Sequence, residues 1–155
     1  MIPRLSQTPS LDPIVSAYLE SLRTQNFSGD IASSYSDRLS LATDNSVYQQ
    51  LPQALLFPKS IADVVILTKL AQKPEFSGLT FTPRGGGTGT NGQSLNQNII
   101  VDLSRHMNQI LELNVEERWV RVQAGVVKDQ LNQYLKPYGL FFSPELSTSN
   151  RATLG

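Results

Sequence analysis

Apolar positions along this chain repeat with two periods, and each change of period marks a new element. Ile14, Ala17, Tyr18 and Leu22 share one helical face, with Ser10 or Asp12 placed to cap the first turn and Pro13 inside it. That helix is expected to end at Asn26 to Gly29. Asp30 to Gln50 is polar and short-patterned, with Tyr35 and Tyr48 as expected anchors onto a sheet. Ala54-Leu55-Leu56-Phe57 predicts a buried strand ended by Pro58. Ser60-Ile61-Ala62-Asp63 has the form of a capping box with aspartate for glutamate, and Ile61, Val64, Val65, Thr68 and Ala71 continue at helical spacing.

Downstream the period falls to two. Leu79 to Thr82 and Asn98 to Leu103 read as strands, the second centred on Ile99-Ile100-Val101. Leu111, Leu113 and Val115 alternate with polar residues, as do Val120 and Val122, so an antiparallel hairpin is expected across Glu116-Glu117-Arg118. Gly125 breaks that strand and opens a helix with Val127, Leu131, Tyr134 and Leu135 on its apolar face. Lys136-Pro137-Tyr138-Gly139 stops it, and Leu140-Phe141-Phe142 is expected to return as a short strand. The sum is an α+β unit of mixed small sheets flanked by helices.

Between the two strands at 79–82 and 98–103 lies Pro83-Arg84-Gly85-Gly86-Gly87-Thr88-Gly89-Thr90-Asn91-Gly92. Glycines at such density allow positive φ at several positions and can turn successive amides toward one anion. A mobile linker is the alternative, but the flanking strands favour a structured loop. Gly87 to Gly92 spells the G-x-G-x-x-G fingerprint, yet Gln93 to Val101 reads as turn and strand where a helix should open. Gly87 to Ser94 also resembles the nucleotide triphosphate loop, but Gln93 occupies its lysine position. What remains is a phosphate cradle between two strands.

With the segments around it, this loop resembles the FAD-binding domain of the vanillyl-alcohol oxidase and p-cresol methylhydroxylase flavoproteins. Within that family it is most similar to the FAD-linked D-lactate, glycolate and D-2-hydroxyglutarate dehydrogenases. The similarity rests on an ordered set: Tyr35 through Asp44, Asn45, Ser46 and Tyr48; Phe57-Pro58-Lys59-Ser60; Pro83 to Gly92; Val101-Asp102-Leu103; Val122 to Val126; and Pro144 to Gly155. It implies that Pro83, Arg84, Gly85, Gly86, Gly87, Thr88, Gly89, Thr90 and Asn91 hold the FAD pyrophosphate. A second cofactor segment, usually P-D-P-x-S followed by A-T-I-G-G, would be represented by Pro144, Thr148, Ala152, Thr153 and Gly155, with Glu145 for the aspartate and Leu146 for the second proline. Position 88 is threonine where covalently flavinylated members carry histidine, so non-covalent FAD is expected at this loop.

The resemblance divides the chain into an N-terminal helical segment, 1–34, and an FAD-binding domain, 35–155, of the p-cresol methylhydroxylase type. The second motif's last glycine would follow Gly155, so the chain is expected to be the N-terminal portion of a larger dehydrogenase or oxidase and inactive alone. The implied reaction takes hydride from a small 2-hydroxy acid to flavin, with the electron acceptor and catalytic residues set downstream and none assigned here. A sugar or aldonolactone oxidase, or a module that keeps the fold without flavin, are the competing readings.

Composition narrows the classes. Thirteen basic and thirteen acidic residues cancel, which disfavours nucleic acid as a partner. Cysteine is absent, removing disulfides, thiol nucleophiles and iron–sulfur ligands. A cytoplasmic location is the expectation, with peripheral membrane attachment left to a larger parent. His106, the single histidine, is expected in a surface turn and without a metal, and Trp119 in a packing role. Arg84 has two readings, a cation for the pyrophosphate or a brace for the loop. Its loss is expected to cost about 1 kcal/mol if its charge is solvent-screened. Asp102 is expected to cap the turn after its strand.

Overall fold

The computed structural model describes residues 10–155. Helix α1, Pro13–Thr24, begins where Asp12 accepts a hydrogen bond from the Ile14 amide, with Pro13 in the first turn. After β1 (Asp30–Ala32) and the short α2 (Tyr35–Ser40), strand β2 (Ala54–Phe57) leads into α3 (Ile61–Ala71). Then come β3 (Phe81–Arg84), β4 (Ile99–Asp102), the hairpin β5 (Ile110–Asn114) and β6 (Trp119–Val122), and α4 (Lys128–Leu135). The sheet order is β1-β2-β4-β3, with β4 parallel to both neighbours and β1 antiparallel at one edge. The mixed sheet, separate hairpin and flanking helices are the expected α+β class.

Both faces of the sheet are covered, which is why β2 and the first three residues of β4, Ile99 to Val101, are apolar. Ala54, Leu56, Ile99 and Val101 face Val15, Tyr18, Leu19 and Leu22 of α1 and Leu67 and Leu70 of α3. Leu55, Phe57 and Ile100 face the other way, toward Ala32 and Leu41. The Tyr18 hydroxyl satisfies itself on the Leu67 carbonyl at 2.8 Å while its ring meets Phe76 edge-on. The expected N-terminal helical segment therefore belongs to the same core as the sheet; its residues 1–9 lie outside the described residues. The third cluster packs Ile110, Leu113, Val120 and Val122 of the hairpin onto Leu131 and Leu135 of α4.

The structure corrects several faces. In α1 the buried residues are Val15, Tyr18, Leu19 and Leu22, and Ala17 is exposed. In α3 the inward face is Asp63, Leu67 and Leu70, while Ile61 is 70 % exposed. That helix is apolar on most sides, so its period could not choose a face; the capping carboxylate did. A register shift between Ile110 and Glu112 turns Leu111 outward and Ile110 inward. Tyr134 is exposed, and Tyr48 is exposed too, its ring lying against Gly92 rather than on the sheet. The buried side chains of that region are Ala42 and Arg38, and Arg38 Nε donates to the Pro52 carbonyl at 2.6 Å. Leu140–Phe142 is coil, with the Phe142 amide and carbonyl bonded to the Asn132 side chain in place of a strand. Strand β3 starts two residues later than expected, and Pro83 is tolerated in it because it is an edge strand.

Asp63 anchors α3 to the chain before β1. It is 1 % exposed and accepts from the amides of Ser28 (2.7 Å), Lys59 (2.8 Å) and Ser60 (3.1 Å), and from the Ser28 hydroxyl. Burial alone would raise its carboxyl, but these donors outweigh it and hold it below the ordinary aspartate range. A depressed carboxyl stabilises the fold fully above its unfolded value and loses that contribution as pH falls through the folded one. Asp63→Asn should thus lower stability at neutral pH by about 1–3 kcal/mol, and denaturation curves should show a shallower acid limb below about pH 4 than the parent.

Candidate functional site

Residues 85–98 connect β3 to β4 with no helix, so the glycine run is an ordered loop between two strands. Gly87 has φ 63° and Gly92 φ 74°, the left-handed region that other residues enter only under strain. The Gly87 carbonyl accepts from the Asn45 amide at 3.0 Å. Gln93, at the position where a triphosphate loop has lysine, folds back and accepts from the Asn91 amide at 3.0 Å. Its role here is to close the loop.

The second segment comes to the first across the fold. Thr148 accepts from the amides of Arg151 and Ala152 in a tight turn. Leu154 and Gly155 then donate to the carbonyls of Val126 and Ala124, and Ala152 accepts from Lys128, so 152–155 runs antiparallel beside 124–128 through a single β-bridge between Thr153 and Val127. Its other side lies on the glycine loop. A Cβ at Gly85 would strike the Thr153 side chain, and one at Gly86 would strike the Arg151 carbonyl. Pro144 is exposed on the preceding coil, where Glu145 reaches the buried Lys128 at 3.7 Å. Gly85, Gly86, Ala152, Thr153 and Gly155 are thus gathered in one place, with Pro144 apart from them.

A polar cleft of about 220 Å³ opens beside Gly86 and Gly87, walled by Ser40, Thr43, Asp44, Asn45, Arg84 and Arg151. Ser40 and Thr43 had no local signal, because they reach the cleft through the tertiary path of the 41–45 segment. Arg151 could have been found as the cation next to Ala152-Thr153. Arg84 is only 8 % exposed and donates to the Thr43 carbonyl at 2.8 Å. The condition for a small loss on its removal, solvent screening, is not met. Burial lowers its pKa and the nearby Asp102 and Asp44 carboxylates raise it, with a net lowering that leaves a guanidinium charged. Asp44 is held below its ordinary range: burial raises it, and hydrogen bonds from Ser46 and Ser94, with Arg84 close by, more than reverse this.

The residues outside the cleft have structural partners. Asp102 accepts from the amides of Ser104 and Arg105, capping the turn after β4. His106 does have a carboxylate partner, 76 positions away in sequence: its Nε2 lies 2.7 Å from Asp30 Oδ2, on the β1 side of the sheet. Asp30 is drawn down to about 2, first by its hydrogen bond from Lys59 and then by that from His106. Trp119 donates to Glu117 at 2.6 Å and lies under Arg121.

In this loop side chains at 85 and 86 would strike Thr153 and Arg151, Gly87 and Gly92 are left-handed, and a polar cleft lies alongside. The comparisons with known proteins give the class. Residues 52–155 match the profile described as FAD binding domain, and the chain belongs to that family, whose cofactor is FAD. D-2-hydroxyglutarate dehydrogenase of Haemophilus influenzae is 73 % identical over all 155 residues, which are 15 % of that relative's length. The chain thus spans about 15 % of the curated relatives it matches first. Among solved structures, alkyldihydroxyacetonephosphate synthase superposes with a TM-score of 0.79 at 19 % identity, covering 100 % of this chain and 30 % of that one. p-Cresol methylhydroxylase gives 0.66 at 15 %, covering 84 % and 26 %, and shares the fold.

The two contacts differ in what can give way. At Gly86 a methyl meets backbone, whereas at Gly85 it meets a threonine side chain. Gly86→Ala should cost about 1–3 kcal/mol through forced backbone displacement and speed amide hydrogen exchange across 151–155. Gly85→Ala should cost less. Exchange across 151–155 unchanged from the parent in both variants would show that the second segment does not rest on the loop.

Proposed function

We propose that this chain holds the diphosphate side of FAD in a flavin-dependent dehydrogenase acting on a small 2-hydroxy acid of the D-2-hydroxyglutarate type. The observation that carries the reading is the junction of the glycine loop with residues 151–155, in a chain 73 % identical throughout to one such dehydrogenase. Arg84 to Asn91 would supply backbone amides to the pyrophosphate, with Pro83 setting the strand end from which the loop leaves, and Thr148, Ala152, Thr153 and Gly155 the facing wall, with Pro144 setting the path of the coil that leads there. Thr88 offers no nucleophile for a histidyl link, so the cofactor is held without a covalent bond at this loop.

When bound, FAD supplies the hydride acceptor for oxidation of the hydroxyl-bearing carbon to a ketone. The chain's own part is to bind and orient. Amide donors bind a diphosphate without a mobile cation, which suits a loop carrying Gln93 where lysine would stand. α1 buttresses the sheet from which the loop springs, so residues 35–155 act as the binding unit with α1 as support. Among the described residues no helix is long and apolar enough to cross a membrane. A cytoplasmic setting and a small-molecule substrate, rather than nucleic acid, complete the proposal.

The test uses the full-length protein. Reconstituted with FAD, it should lose its oxidised flavin absorbance on anaerobic addition of D-2-hydroxyglutarate, and more slowly with D-lactate or glycolate. No bleaching by any of the three would overturn the substrate class. The 155-residue chain alone should bind FAD at least tenfold more weakly than the full-length protein in a fluorescence titration; equal affinity would place the whole cofactor site within it.

A further inference from the structure

Both ends of the glycine loop are tied to the 41–46 segment by one run of polar contacts. We infer that this run, Arg84–Ser94–Asp44, is a positioning clamp that fixes the loop's shape before FAD arrives, and that Arg84 acts on the cofactor through it rather than as a phosphate ligand. The inference rests on the reading of the loop as the pyrophosphate site.

Arg84 is the last residue of β3, directly before Gly85, and Ser94 lies where the loop turns back along the sheet. Both are 8 % exposed. Arg84 Nη2 donates to the Thr43 carbonyl at 2.8 Å, and Nη1 lies 3.4 Å from Ser94 Oγ and 3.5 Å from the Leu41 carbonyl. Ser94 Oγ donates a hydrogen bond to Asp44 Oδ2 at 2.9 Å, which leaves its lone pairs to the guanidinium. Asp44 is held in turn by the Ser46 amide at 2.8 Å. One charged fork therefore joins the start of the loop, its end and a third segment. That third segment grips the loop's middle through the Asn45 amide and the Gly87 carbonyl, 3.0 Å apart.

The geometry distinguishes a clamp from a ligand. Both terminal nitrogens of Arg84 point at protein acceptors of the 41–46 and 94 positions, so a phosphate would have to displace bonds already made. Gly87 closes over the guanidinium so tightly that a Cβ there would run into it. Only a planar, multiply donating head group can serve acceptors on three sides; a lysine ammonium on a flexible stem cannot hold that geometry. A loop of glycines loses more chain entropy on ordering than other residues do, so tethers that order it in the free protein remove that cost from the binding step.

Full-length protein carrying Arg84→Lys, Ser94→Ala or both is compared with the parent. Three measurements are made: amide hydrogen exchange in the FAD-free state, FAD dissociation constant at low and high salt, and melting temperature. Ser94→Ala deletes one hydroxyl and is the variant that keeps the fold if Arg84→Lys does not. The clamp predicts several-fold faster exchange across 85–93, with β2 and β4 unchanged. It also predicts FAD affinity weakened at least tenfold in each single variant, a double variant little worse than either, and an unaltered salt dependence. Weakened affinity with unchanged exchange would make Arg84 a direct phosphate ligand and overturn the clamp. Faster exchange with unchanged affinity would overturn it as well. If the parent itself takes up no FAD, the proposed function fails, and unchanged exchange at 85–93 then overturns the clamp separately.

Discussion

The parallel pairing of β3 with β4 is the constraint on which the rest of the site depends. Parallel neighbours oblige the chain to travel from the end of one strand back to the start of the next, and here residues 85–98 make that journey without a helix. The first half of the route becomes the glycine loop at the carboxyl end of the sheet. The second half runs back along β3, where Asn96 and Asn98 side chains bond to Thr80 and Thr82. That run covers an edge strand that would otherwise present unpaired amides. It also explains why Ser94, Leu95 and Asn96 are buried in what a sequence pattern reads as loop.

Period and punctuation made most elements legible. The buried strands at 54–57 and 99–102, the Ser60–Asp63 capping box, the Asp12–Pro13 helix start and the 110–122 hairpin all follow from local rules that the tertiary structure leaves in force. Helix faces were less legible. In α3, Ile61, Val64, Val65, Ile66, Leu67 and Leu70 leave almost no polar stripe, so periodicity cannot rank the sides. What decides is Asp63, whose inward carboxylate is fixed by Ser28, 35 positions away in the sequence. The same limit hid the His106 contact with Asp30 and the burial of Arg84. Leu140–Phe142 has the side chains of a strand, but among the described residues no backbone neighbour pairs with it, and 72 % of Phe141 is exposed.

The candidate site was legible in its glycines and invisible in its walls. Glycine density announces a backbone that must approach something closely. In this fold the loop is approached by another part of the chain, since Arg151 and Thr153 occupy the space that side chains at 86 and 85 would need. Close approach by chain and close approach by phosphate leave the same sequence signature. The two are compatible because the segment at 152–155 takes one side of the loop while the polar cleft lies beside Gly86 and Gly87.

A cradle made of amides has a weakness that a cradle made of lysines lacks. Amide dipoles act over a short range and lose their effect when their directions scatter, so the loop's value as an anion site is set by its rigidity. Rigidity cannot come from glycine itself, the residue with most freedom to lose. It is imported from residues with stiff or branching contacts: Arg84 and Ser94 at the ends, Asn45 at the middle, Gln93 at the return and Thr153 across the top. They come from separate stretches at 45, 84, 93–94 and 153, and the parallel sheet is what brings those stretches to one end.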